Sequence, residues 1–126
     1  MNHLIPYLMV TILLAGVVGC RESADDRLAR PPENSLEAAA ELDSVFADSD
    51  AATKRKASIA TKALRDGQYD KAVASIMTIR NQDNLSFDQG MTVRNSMVTL
   101  QRELIEAAED GDPKAAEAIK VLQQYK

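Results

Sequence analysis

Few residues in this chain have types and spacings that suggest chemistry. Its single cysteine, Cys20, closes an apolar run, and charged residues begin at Arg21. A thiol is a good nucleophile once ionised, and one alone forms no disulfide within the chain. Glu103, Glu106, Asp110 and Glu117 are the carboxylates whose spacing allows paired acid and base work on a glycan. The first three, however, recur at helical spacing on one exposed side, where charge ordinarily serves solubility. Asp110 and Asp112 lack the ligand spacing of a dedicated calcium loop. Lys54, Arg55, Lys62 and Arg65 fall on one side of a helix. That basic face suits anionic headgroups, an acidic glycan or an acidic protein segment, and it equally suits plain solvation. Tyr69 and Tyr125 are aromatics available to line a peptide groove.

From Leu4 to Gly19 no side chain is charged. The run is short of the ~20 residues of a spanning helix, so a signal-peptide segment is the better reading. Val17-Val18-Gly19-Cys20 resembles the lipobox of bacterial lipoproteins, where a small aliphatic stretch and a small residue precede an invariant cysteine. The resemblance implies diacylglycerol on the Cys20 sulfur, cleavage between Gly19 and Cys20, and acylation, typically by palmitate, of the new amino terminus. No Lys or Arg precedes the apolar run, as is usual in that family. A weak anchoring helix with an incidental cysteine, or a cut elsewhere, are the alternatives. Two or more acyl chains give stable anchoring where one gives only marginal binding. Arg21 stands where inner-membrane retention usually shows Asp, so the same resemblance favours an outer membrane, facing the periplasm, if the cell has two membranes.

Cleavage before Cys20 takes away His3, the only histidine, and the chain has no tryptophan. Without imidazole there is no Ser-His-Asp or Cys-His nucleophile and no zinc site of Cys and His ligands. Gly67, Gly90 and Gly111 stand alone, so no glycine-rich loop cradles phosphate. A net charge of -4 and the sparse aromatics Phe46, Tyr69, Phe87 and Tyr125 give nucleic-acid binding little support.

Three segments follow: a signal peptide over 1–19, a lipidated cysteine and flexible tether over 20–34, and a helical domain over 35–126. Charge, low apolar content and Pro31-Pro32 make the second a tether. Asn34 and Glu37 have the spacing of a capping box, and Leu36, Ala39, Leu42, Val45 and Phe46 make the first apolar face. Asp48-Ser49-Asp50 ends the first helix and caps a second, from about Ala51 to Arg65, with Ala52, Ile59, Ala60 and Ala63 inward. Gly67 ends it, and a third helix from Tyr69 to Arg80 uses Ala72, Val73, Ile76 and Ile79. Ser86 and Gln89 box the start of a fourth, whose Phe87, Met91, Met97, Val98, Leu100, Leu104, Ile105 and Ala108 predict a broad inner surface. Asp112 and Pro113 open the fifth, with Ala115, Ala118, Ile119, Leu122 and Tyr125 inward. No segment alternates like a strand. The predicted fold is all-α: antiparallel helical hairpins, four to five helices in all.

Gly67-Gln68-Tyr69-Asp70-Lys71-Ala72 resembles the inter-helix turn of tetratricopeptide repeats, in which Gly, a polar residue and Tyr lead to an Ala that lets two helices touch. Ile59 and Ala60 match the large-then-small pair of that family's first helix, and Ile76 and Ile79 fall where its second is apolar. The similarity covers residues 56–84. Lys56 stands where Trp is usual, Ala63 where an aromatic is, and no copy follows about 34 residues on. A fainter echo lies 44 residues on, pairing Ala63, Asp66, Gly67, Ala72 and Ala74 with Ala107, Asp110, Gly111, Ala116 and Ala118. The resemblance implies two degenerate hairpins, with Tyr69 packed between helices. A generic small bundle with a glycine turn is the alternative.

The function expected from these features is that of a lipid-anchored protein of the bacterial envelope, without cofactor or metal and not an enzyme, serving as an interaction module or adaptor. The partner surface would comprise Lys54, Arg55, Lys62, Arg65 and Tyr69, meeting an envelope protein. A structural spacer, a wall-binding tether and a small lipid or ligand carrier are the other readings.

Overall fold

A computed structural model describes residues 24–125. The signal segment, Gly19 and Cys20 lie outside the described residues. Within them run α1 (Ala24–Ala29), α2 (Ser35–Val45), α3 (Ala51–Arg65), α4 (Tyr69–Arg80), α5 (Phe87–Glu109) and α6 (Pro113–Gln124). The protein is thus an all-α small helical bundle, with no strand among the described residues.

Local sequence sets the helix ends. The Asn34 Oδ1 accepts the Glu37 N–H at 2.9 Å, while the Glu37 carboxylate reaches past the cap to the Glu33 N–H at 2.6 Å. The Asp50 Oδ1 accepts the N–H groups of Ala52 and Thr53, each at 3.0 Å. Hydrogen bonds from the Thr53 side chain and amide hold the Asp50 carboxyl below its ordinary value. Ser86 and Gln89 form the expected reciprocal box, both bonds at 3.1 Å. Asp112 caps α6 with Pro113 in its first turn.

The helices close into a ring. Each packs on the next in the order α2, α3, α4, α6, α5 and back to α2, with α4 also crossing to α5. Wedged between α3 and α5, α2 keeps those two apart. It runs antiparallel to α5: Ser35 meets Glu103 at one end, and the Gln89 Nε2 donates to the Val45 carbonyl and the Ser49 Oγ at the other. Leu42, Phe46, Val73, Ile76, Ile79, Val93, Leu100 and Leu104 fill the centre. Buried alanines at 38, 39, 57, 60, 63, 72, 115 and 118 let the helix axes approach closely.

Four inner faces differ from expectation, two of them most. On α3 the buried residues are Thr53, Ala57, Ala60, Thr61, Ala63 and Leu64, whereas Ala52 and Ile59 face solvent. Its neighbours α2 and α4 both approach from the Thr53–Leu64 side, so the alanine-rich helix is rotated from the predicted stripe. On α5, Phe87, Val98 and Ile105 are exposed, because α2, α4 and α6 take the other sides of that helix. Leu36 and Tyr125 are exposed as well.

The segment ahead of α2 is bound along part of its length. The Asn95 Nδ2 donates to the Leu28 carbonyl at 2.9 Å, and the Thr99 hydroxyl to the Pro32 carbonyl at 2.6 Å. The Arg102 Nη2 donates to the Glu33 carbonyl at 2.6 Å. Pro32 is buried. Residues 28–33 of the 20–34 stretch therefore form a strap laid on α5, pairing backbone carbonyls that proline-rich chain cannot satisfy by itself.

Candidate functional site at the α3–α4 turn

The turn between α3 and α4 begins with helix chemistry. Gly67 takes a left-handed φ of 64°. The Gln68 N–H then reaches back to the Ala63 carbonyl at 3.0 Å, and the Gly67 N–H to the Leu64 carbonyl at 3.4 Å. The α5–α6 turn repeats this pattern. Gly111 has φ 92°, the Asp112 N–H reaches Ala107 at 2.9 Å, and the Gly111 N–H reaches Ala108 at 3.0 Å. Residues paired by the 44-residue echo thus make the same backbone turn.

Because α6 packs on α4, its first turn comes up beside Gly67. A shallow cleft of about 650 Å³ lies between them, lined by Asp66, Gly67, Gln68, Tyr69, Asp70 and Lys71 from the turn and by Lys114 and Glu117 from α6. Tyr69 is half-buried against the core with one edge in the cleft. A fixed aromatic ring between lysines from two elements and several carboxylates suits a mixed-charge peptide, with ring area giving attachment and the charges giving orientation.

The basic face is present, and all four of its cations are exposed. Two are engaged within the fold: Lys62 pairs with Asp66 at 2.6 Å, and Arg65 pairs with Asp43 of α2 at 2.5 Å. Such exposed pairs contribute little stability, but they halve the charge the face offers outward. Lys54 and Arg55 carry the remainder. Of the five predicted surface residues Tyr69 lines the cleft, and Lys62 adjoins it through its pair with Asp66, also in the lining. Lys54 and Arg55 lie toward the opposite end of α3.

The acidic candidates separate. Glu103 is half-buried, where its carboxylate accepts the Ser35 N–H at 2.8 Å and the Ser35 hydroxyl, so it belongs to the start of α2 and not to an exposed acidic row. Glu106 and Asp110 stay exposed, and Glu117 pairs with Lys120 at 3.3 Å. Among the described residues no three Cys, His, Asp or Glu side chains group as metal ligands.

Gln68 and Lys71 stand in the turn that resembles tetratricopeptide repeats but carry no expected site role, and neither does Lys114. Lys114 enters the cleft only through α4–α6 packing, which no local pattern announces. No protein-family model, curated protein or solved structure matches the chain.

Proposed function

We propose that this protein is a lipid-anchored component of the bacterial envelope whose helical bundle acts by binding another envelope protein. The observation that carries the address is the uncharged run from Leu4 to Gly19 ending in Val17-Val18-Gly19-Cys20. Acylation at Cys20 would make a spanning segment unnecessary, and no helix among the described residues is long and apolar enough to cross a membrane. The outer membrane, with the bundle toward the periplasm, is the favoured location in a cell with two membranes. Support for a binding role comes from the Tyr69 cleft, a concave site built from the α3–α4 turn and the start of α6.

The test has two parts. Cys20→Ala is expected to leave an unprocessed precursor without lipid, and an unchanged mature mass in the membrane fraction would sink the address. A photocrosslinker placed at Tyr69 and at Lys62 in living cells is expected to capture one recurrent protein at both positions, since the Lys62–Asp66 pair adjoins the cleft. Wall glycan captured at Lys62, with no protein, would make the protein a tether instead.

A further inference from the structure

Three of the six large apolar side chains exposed on the described bundle belong to α5: Phe87 at 75%, Val98 at 41% and Ile105 at 51%. Phe87 and Ile105 are 18 residues apart, which is five turns, and Val98 lies 11 residues, close to three turns, from Phe87. The three therefore share one narrow stripe about 27 Å long. Half-buried Met91 and exposed Arg94 lie on the same line. No other described helix covers it.

We infer that this stripe rests on a lipid bilayer, as a second membrane contact beside the acyl anchor. The inference rests on acylation of Cys20. Two observations choose lipid over other occupants. First, Leu28 is fastened to Asn95, one turn from both Met91 and Val98. Cys20 is four residues before Ala24, at most about 14 Å of extended chain, and α1 adds about 6 Å to Leu28. Acyl chains on Cys20 thus hold the bilayer within about 20 Å of the middle of the stripe. Second, a cation free-standing among the described residues sits on the line itself: exposed Arg94 lies between Phe87 and Val98, whereas Arg102, near the Ile105 end, is turned to the Pro32 and Glu33 carbonyls. An anionic surface attracts Arg94, whose head stays at the phosphates while the aromatic and aliphatic side chains beside it enter the headgroup boundary.

The experiment uses the lipidated mature protein, purified from membranes after expression of the full chain. It is reconstituted in vesicles of phosphatidylethanolamine and phosphatidylglycerol whose acyl chains carry bromine. A bimane fluorophore is attached through Val98→Cys in one preparation and through Lys62→Cys in another, Lys62 lying on α3, which does not touch α5. Emission at position 98 is expected to be quenched several-fold more strongly than at position 62. Adding Phe87→Asp, an exposed substitution remote from the label, is expected to bring the position-98 signal down toward that at 62. Equal quenching in floating vesicles, with the diacylglyceryl mass intact, overturns the α5 contact and leaves the anchor standing. Stronger quenching at position 62 overturns it too, by moving the bilayer to the basic face. Energy transfer between labelled copies without bromine quenching assigns the stripe to a second copy of the chain. Failure to float, with no diacylglyceryl mass, overturns both this contact and the anchor.

Discussion

Replacing Gly67 and replacing Gly90 by alanine have opposite expected effects. A methyl group added at either position meets nothing within 4 Å, so sterics with neighbours do not distinguish them. Backbone conformation does. At Gly67 the φ of 64° forces an alanine into the left-handed region, at a cost of about 1–2 kcal/mol. At Gly90, inside the first turns of α5, alanine adopts the helical conformation that it prefers and stabilises by about 0.5–1 kcal/mol. Urea denaturation of the two variants checks the pair: the midpoints should move in opposite directions, and a shared direction would refute the conformational account. The same reasoning applies to the caps. Asn34, Ser86 and Asp112 were legible in the sequence because a cap is a contract between residues two or three apart, and each holds in the structure; within Asp48-Ser49-Asp50 the cap proves to be Asp50.

At the scale of elements, legibility falls with the distance of the partner. The span of α3 agrees with its sequence reading, yet its buried face does not, because alanine at 51, 52, 57, 60 and 63 offers several sides of similar polarity. Neighbouring helices chose between them. The three apolar side chains of α5 left in solvent tell the same story: periodicity marks an apolar side without saying whether anything covers it. The strap was legible only as a proline-rich, charged stretch, since its fastening uses main-chain carbonyls of residues that any composition supplies. Its partners are specific, however. Thr99 is fully buried and donates to Pro32. Combining Asn95→Ala with Thr99→Val is expected to weaken the strap by about 1–3 kcal/mol and to speed hydrogen exchange of the Ser35 amide, which the Glu103 carboxylate holds. Exchange in α4 should be unchanged. Equal acceleration throughout would mean that the strap is inseparable from the bundle.

On the scale of the whole molecule, ring closure makes α2 the keystone. It separates α3 from α5, and Phe46 at its end is almost fully buried in the shared core. Phe46→Ala is expected to cost about 3–5 kcal/mol, a large share of the 5–15 kcal/mol that small domains possess. Unfolding should remain one cooperative transition with a lowered midpoint, measured by circular dichroism and by hydrogen exchange together. Two separated transitions would instead make the α3–α4 and α5–α6 hairpins independent units. The strap adds a mechanical consequence. Were the N-terminus held at a membrane, as proposed, tension would enter at Leu28, then pass to Pro32 and Glu33, and only afterwards to Ser35 at the head of α2. Three fastenings stand in series ahead of the keystone, so such a tug would be spent on a clasp before the load reached the core.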